Sequence, residues 1–200
     1  MKHIRLILAP LVLLVLSTPA IAEKLPLSAI SAYFNNITTA EATFTQINDD
    51  GSISTGNILI RRPGRIRFEY NPPDESLVMA SGGQVAIFDS KSNQPPERFP
   101  LSKTPLFLIL AKDVNLEQAD MVVGHTSDGA STAVAAQDPK HPEYGTIQLI
   151  FTSNPVQLRQ WIVSDGSGQQ TTVIFGEFSF GRRLSFNYFD IKDEMESRGF

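Results

Sequence analysis

Two histidines and a pair of adjacent carboxylates are the side chains of this sequence best suited to proton transfer or metal binding. Beyond the first 22 residues, His125 and His141 are the only histidines, and the chain has no cysteine to complete a set of metal ligands. Asp74 and Glu75 could be imagined as a hydrolase pair, but adjacent residues of a strand point to opposite faces. Two prolines precede them. We therefore expect surface histidines, a solvated turn, no metal and no catalytic residue.

Other catalytic motifs are missing as well. The sequence contains no Gly-x-Ser-x-Gly nucleophile turn and no glycine-rich phosphate loop. The remaining acids that could be considered fall at predicted turns or element ends, and these are Asp89, Glu97, Asp113 and Asp165. The sequence thus predicts a protein that is not an enzyme and needs no cofactor.

The unusual chemistry lies in an alternating stretch, NILIRRPGRIRFEYNPP, at residues 57–73. Strand alternation places Arg62 on the same face as Ile58 and Ile60. A guanidinium offers five donors and keeps its charge in proteins, so a buried one must find acceptors. The alternative is that Pro63 shifts the register and leaves Arg62 as a solvated turn residue. Arg61, Arg65 and Arg67 fall on the other face, where we expect them to be solvated or to meet acidic partner surfaces.

The elements around this stretch are mostly strands. Three- and four-residue spacing of apolar side chains predicts a short helix over residues 26–37. Strand signals then recur to the end of the chain, including a hairpin around residues 81–84 and last strands at 171–180 and 184–191. A central insertion holds a helix that begins with Thr104 as N-cap and Pro105. Its residues 106–110 are apolar all round, so it must be buried or cover an apolar surface.

The first 22 residues have the pattern of a secretory signal peptide. Lys2 and Arg5 precede an apolar run, and Ala20 to Ala22 fit a cleavage site. We expect one domain over residues 23–200, in an extracytoplasmic space and without disulfides. Without Lys2 and Arg5 the formal charge falls from −4 to −6. No basic patch points to nucleic acid. Thirteen phenylalanines could form a core or line a wide apolar cavity.

In their order, several segments resemble the LolA family, the periplasmic outer-membrane lipoprotein carriers of Gram-negative bacteria. The segments are TFTQ at 43–46, a glycine followed by ILIRRPGRIRFEY, then NPPDESLVMASGGQVAIFD, and PLSKTPLFLIL at 100–110. The resemblance is strongest from Thr43 to Leu110 and weaker from Asp113 to Phe200. It implies an incomplete, strongly curved antiparallel β-barrel, a half-barrel, covered by a helical lid. It also implies localisation in the periplasm and a monomeric carrier.

The resemblance implies a function as well. Lid and barrel would enclose an apolar cavity that takes the acyl chains of lipoproteins released by an inner-membrane ABC transporter. The carrier would then hand them to an outer-membrane acceptor, LolB-like or of another kind. The family's functional arginine precedes the proline of this motif, which makes Arg62 the candidate lid latch. Candidate cavity-lining residues, for which plain core packing is the alternative, are Phe44, Ile58, Ile60, Phe68, Val85, Ile87, Leu106, Phe107 and Leu110.

Two features depart from the family's pattern. The C-terminal end, FDIKDEMESRGF, is short and highly charged, without the additional hairpin that some members carry. The lid region is rich in proline, so its first helix should be little more than a turn.

Two other functions remain to be considered. One is a lipid- or lipoprotein-sensing module on the same fold, which would normally be fused to a second domain. The other is a secreted β-rich hydrolase, which would need a pair of inward carboxylates.

Overall fold

The computed structural model describes residues 23–118 and 120–200, so the predicted signal peptide lies outside the described residues. The helices are α1 (Leu27–Asn36), α2 (Leu106–Leu110) and α3 (Ile191–Ser197), with 3-10 turns at Leu101–Lys103, Pro142–Tyr144 and Phe186–Phe189. The strands are β1 (Thr39–Ile47), β2 (Ile53–Arg61), β3 (Arg65–Tyr70), β4 (Leu77–Ser81), β5 (Gln84–Phe88), β6 (Glu97–Pro100), β7 (Val122–Ser127), β8 (Thr132–Gln137), β9 (Thr146–Ser153), β10 (Val156–Ser164), β11 (Gln170–Phe175) and β12 (Ser179–Phe180). Within the described residues, no helix is long enough to cross a membrane, the longest being α1 with 10 residues.

The strands form one antiparallel sheet that does not close. Its order is β6-β5-β4-β3-β2-β1-β11-β10-β9-β8-β7, and β12 continues the β11 side of β1. The first and last strands in this order, β6 and β7, do not pair with each other, so the barrel is incomplete. The mainly β, half-barrel fold predicted from the sequence is confirmed, including the hairpin between β4 and β5.

One face of the sheet and the helix α1 form the main hydrophobic core. Strand alternation buries every second residue of β9, among them Phe151, which is fully buried. From α1, Phe34 contacts the Phe151 ring edge-to-face, with 5.9 Å between centroids. Tyr33 does the same at 5.4 Å. The predicted N-terminal helix is thus confirmed, and its apolar face packs against the inner side of the sheet.

A bulge between β11 and β12 brings more aromatic side chains to the inner face. Phe175 lies opposite Phe44, whereas Phe180 lies opposite Ala40, so the second strand has one extra residue. Gly176 occupies the bulge, where a Cβ atom would collide with Thr43 Oγ1. Because residues directly opposite each other share a face, the shift puts Phe180 on the same face as Ala40, where its ring stacks on Phe178 but stays 47% exposed.

The prediction of a last strand over residues 184–191 is wrong. This segment forms the 3-10 turn Phe186–Phe189 and then α3, which begins where the Asp190 side chain accepts hydrogen bonds from the amides of Lys192 and Asp193. The helix packs on the outer face of the sheet, where Ile191 joins a second cluster with Leu77, Met79, Ala86 and Phe88. The alternation of apolar residues in this segment is typical of a strand. A short helix buries Ile191 against the outer face of the sheet equally well, so the alternation alone did not decide between the two.

The expectation that the outer arginines are solvated is also wrong. The C-terminal segment covers them: the Arg61 guanidinium lies 3.6 Å from the centroid of the Phe186 ring and donates to the Leu184 carbonyl. Arg67, whose side chain is 12% exposed, donates to Glu69 at 2.7 Å and to Glu194 at 3.0 Å. These arginines therefore attach the C-terminal segment to β2 and β3.

Acid should loosen this attachment. Burial acts to raise the pKa of Glu194, but hydrogen bonds and charges from Arg198 and Arg67 outweigh it and hold the pKa below its ordinary value of 4.5. A depressed pKa contributes stability above the unfolded-state value, and that stability is lost as pH falls through the folded-state value. We expect thermal unfolding scans to show stability falling below about pH 5, and less steeply in Glu194→Gln. An equally steep loss in this variant would contradict the assignment.

Candidate functional site

The short helix α2 lies over the inner face of the sheet. Its N-cap residue is Pro105, and the Thr104 hydroxyl donates to the Leu101 carbonyl at 2.9 Å, so Thr104 is not the side-chain cap that the sequence suggested. Leu108, Ile109 and Leu110 are buried, but Phe107 is 44% exposed. Of the two alternatives predicted for this apolar helix, the second holds: it covers an apolar surface and is not buried on every side. The helix presents three apolar side chains to the interior and one aromatic ring to solvent.

Arg62 lies between the sheet and the end of this helix. Its Nη2 donates to the Ala111 carbonyl at 2.6 Å, directly after α2, and lies 3.4 Å from Asn35 Oδ1. Burial lowers the pKa of Arg62, and the charge of Asp113 opposes that shift. A guanidinium is not deprotonated in proteins, so the group stays charged at neutral pH. The parity argument from the sequence thus agrees with an inward Arg62 side chain.

The turn that carries Arg62 makes a second hydrogen bond to α2. The Gly64 amide donates to the Leu110 carbonyl at 2.9 Å, and Gly64 has a φ of 72°, which favours glycine. The last carbonyls of a helix have no partner within the helix. Here two of them, on Leu110 and Ala111, accept from the turn between β2 and β3.

The chain after α2 is attached to α1. The Asn35 side chain donates to the Val114 carbonyl at 2.8 Å and accepts from the Val114 amide at 2.9 Å. The Leu116 amide donates to the Ser31 hydroxyl at 3.0 Å. The segment 106–116 is thus held from two sides, by the β2–β3 turn and by α1. We call this segment the lid.

Asn35→Ala should weaken the lid. The change leaves the amide and the carbonyl of the buried Val114 unpaired, which costs about 1–3 kcal/mol in each case before water compensates. We expect the free energy of unfolding, measured by urea titration, to fall by about 1–2 kcal/mol. The matched control is Asn36→Ala, at the exposed last residue of α1, for which a change below about 0.5 kcal/mol is expected. Equal effects of the two substitutions would contradict the attachment.

The interior beneath the lid is almost filled. A cavity of about 20 Å³ remains, little more than the space of one water molecule. Its walls come from α1, the sheet and the lid, and the lining residues are Tyr33, Phe34, Ile37, Ile60, Arg62, Ile66, Ile109, Leu110, Leu158, Trp161 and Phe178. Two buried polar atoms of these residues, Tyr33 Oη and Arg62 Nε, have no partner of good hydrogen-bond geometry among the described residues, although the Leu158 backbone lies near the Tyr33 hydroxyl.

The candidate lining residues separate into three groups. Six belong to the main core and are at most 7% exposed, namely Phe44, Ile58, Ile60, Phe68, Val85 and Leu110. Ile87 and Leu106 are partly buried against that core, and Phe107 points to solvent. Among the nine, Ile60 and Leu110 line the present cavity, together with Arg62.

Sequence reasoning missed Trp161 as a lining residue. Strict alternation from Leu158 would put Trp161 on the opposite face, but the register of β10 against β9 shifts between Leu158 and Gln160. One irregular residue reverses the faces, so Leu158 and Trp161 are both buried. The phenylalanine at 178 was missed for the same reason, because the bulge before it is not encoded in the alternation. Two consecutive polar residues, Arg159 and Gln160, between the apolar Leu158 and Trp161 are a signal, but a weak one.

The residues first considered for chemistry have structural roles. His125 Nε2 lies 2.9 Å from the Leu25 carbonyl, and His141 stacks on Tyr144. Asp74 accepts from Ser54 at 2.9 Å and from Ser76 at 2.7 Å. Over the ranges 23–118 and 120–200, no group of three or more histidines and acids could hold a metal ion.

Comparisons with known proteins agree with this architecture. The family described as "Outer membrane lipoprotein carrier protein LolA" matches residues 35–192. An outer-membrane lipoprotein carrier protein of Azotobacter vinelandii is 26% identical and aligns over 96% of this chain and 95% of its own. One of Coxiella burnetii is also 26% identical, over 82% and 81%.

A solved structure supports the fold alone. A putative outer membrane lipoprotein-sorting protein domain from Vibrio parahaemolyticus superposes with a TM-score of 0.53 and 10% identity, covering 85% of this chain and 97% of its own. The family match covers most of the chain and includes the β2–β3 turn and the lid. The chain therefore belongs to the LolA family of outer membrane lipoprotein carrier proteins.

Proposed function

We propose that this protein is a periplasmic carrier that binds the acyl chains of lipoproteins in the space now filled by the lid. The observation that carries the proposal is the contact of Arg62 with the Ala111 carbonyl above an apolar interior. The names of the curated relatives supply the cargo class, lipoproteins of the outer membrane. The proposed path begins at an inner-membrane ABC transporter and ends at an outer-membrane acceptor.

The filled interior supports a two-state account. A cavity of about 20 Å³ cannot take an acyl chain, so binding requires the lid to leave. The side chains of Ile109 and Leu110, which occupy the interior in the closed state, would give way to the hydrocarbon of the cargo. The apolar wall of the cavity is covered in both states, by lid side chains in the closed state and by hydrocarbon in the loaded one. Burial of an acyl chain against this wall is favourable by about 0.8 kcal/mol per CH₂.

The hydrogen bond from Arg62 stabilises the closed lid, opposes cargo binding and so keeps that binding reversible. A hydrogen bond from a charged donor is worth about 1.5–3 kcal/mol. Cargo must break the Arg62–Ala111 bond and the Gly64–Leu110 bond, and both re-form when cargo leaves. A closed state stabilised in this way lowers the apparent affinity for cargo, since only the open fraction binds. Transfer to an acceptor can then proceed without an energy source in the same compartment.

Solubilisation of an acylated lipoprotein tests the proposal. We would incubate the purified mature protein with a lipoprotein carrying its acyl chains, and separate the products by gel filtration. A one-to-one complex that stays soluble without detergent is the expected result. The control is the same lipoprotein without acyl chains, which should elute unbound. Cargo that remains aggregated in both cases would reject a carrier function.

Release separates a carrier from a sensing module. Addition of outer-membrane vesicles to the isolated complex should move the lipoprotein into the vesicle fraction and leave the carrier soluble. A complex that persists under these conditions would favour the lipid- or lipoprotein-sensing module instead. The hydrolase alternative, an enzyme acting for instance on glycans, predicts that no acylated lipoprotein is solubilised and that no complex forms.

A further inference from the structure

Two donors without a well-placed acceptor belong to residues that line the small cavity closed by the lid. Tyr33 Oη comes from α1 and Arg62 Nε from the β2–β3 turn, and neither buried atom has a partner of good hydrogen-bond geometry among the described residues. The Leu158 backbone lies close enough to the Tyr33 hydroxyl to oppose the rise in its pKa that burial causes, but it leaves the hydroxyl proton without an acceptor. The rest of the lining is apolar. Buried polar groups are paired in the great majority of cases, so each exception calls for a physical explanation. An unpaired donor raises the free energy of the closed state, and a ligand that carries an acceptor removes that penalty.

We propose that Tyr33 Oη and Arg62 form a site for the carbonyl oxygens of acylated cargo, binding the ester or amide groups at the polar ends of the acyl chains. This inference rests on the proposed carrier function and names the part of the cargo that the apolar wall does not recognise. Hydrocarbon supplies affinity without direction, whereas two fixed donors define where along the chain the carbonyl end must stop.

The closed structure shows how the exchange would balance. Nη2 of Arg62 already donates to a carbonyl, that of Ala111, at 2.6 Å. Nε and Nη2 lie on one edge of the guanidinium, so opening the lid frees a pair of parallel donors in a lining that Arg62 shares with Tyr33. A cargo carbonyl would replace the lid carbonyl, and the arginine would keep an acceptor in both states. The charged group would therefore not be left unpaired in the loaded protein.

Tyr33→Phe is a clean test because the ring contacts remain. Tyr33 packs edge-to-face on Phe34 and Phe151, and phenylalanine keeps both contacts. We would measure displacement of an apolar fluorescent dye by two ligands of equal length, methyl laurate and tetradecane. The substitution should weaken methyl laurate binding about five- to tenfold, the effect of one lost hydrogen bond, and leave tetradecane unchanged.

The matched control is Tyr70→Phe. Tyr70 donates to Gln46 Oε1 at 2.7 Å and does not line the cavity, so its variant should bind both ligands as the parent does. Infrared spectra give a second readout. The ester carbonyl band of bound methyl laurate should lie at lower frequency than in alkane solvent and move back in Tyr33→Phe. A band at the alkane position in the parent protein would overturn the inference.

The two proposals fail in different ways. If tetradecane binds and Tyr33→Phe weakens both ligands equally or neither, the carbonyl site is wrong and the carrier function stands. If neither ligand displaces the dye and no acylated lipoprotein is solubilised, the carrier function fails and the carbonyl site fails with it.

Discussion

Arg62→Leu should bind an alkane ligand about tenfold more tightly than the parent protein, and release it correspondingly more slowly. The substitution removes the Nη2 donor from the Ala111 carbonyl, a bond worth about 1.5–3 kcal/mol. It also removes the unpaired Nε, which offsets part of this loss, so we expect the lower end, about 1.4 kcal/mol or tenfold. Because the open fraction rises, the apparent dissociation constant falls.

Tetradecane is the appropriate ligand because it accepts no hydrogen bond from Arg62 and therefore reports on the lid alone. The matched control is Arg65→Leu, in the same turn, whose guanidinium lies 4.9 Å from the centroid of the Phe186 ring on the outer face. That variant should bind tetradecane as the parent does. Unchanged or weaker binding in Arg62→Leu, with unfolding still cooperative, would contradict the role of Arg62 as a latch.

Phe151→Ala should have the largest effect on stability, a loss of about 3–5 kcal/mol. Phe151 is fully buried on β9 and contacts both Tyr33 and Phe34 of α1. Removing the ring leaves a cavity at the junction of helix and sheet, where neither backbone can collapse without losing its own contacts. For a chain of this length, the melting temperature should fall by about 2–4 °C for each kcal/mol.

Circular dichroism during thermal unfolding measures this change, and Phe107→Ala is its control. Phe107 belongs to the lid but is 44% exposed, so its loss should shift the melting temperature far less. Similar shifts for the two variants would show that the junction of α1 and β9 is not the centre of the core.

The sequence predicted the inward face of Arg62 because strand alternation is strict over the residues before it. Ile58 and Ile60 are buried, and Arg62 follows them in phase despite Pro63. The same rule failed at Trp161, since one irregular residue in β10 reverses the faces. A bulge depends on the pairing of two strands, and a single strand's pattern does not encode it.

The sequence did not predict the volume of the cavity, for a different reason. Phe44 and Leu110 are buried whether the interior is packed or open, so residue type alone does not separate the two. The attachment of α3 was missed because its contacts are made across the chain. Arg67 reaches Glu194, 127 residues further on, and Ile191 packs on the outer face of β4 and β5.

Hydrogen exchange at Gly64 tests the central claim most directly, because its amide donates to Leu110 in the closed lid. NMR can follow this amide in the empty protein and after saturation with an acylated ligand. The Gly176 amide, which donates to the Thr43 carbonyl within the sheet at 2.9 Å, is the internal reference. The account predicts that ligand removes the protection of Gly64 and leaves that of Gly176. Protection of Gly64 that persists at saturation would mean that acyl chains bind without the lid opening, and would contradict it.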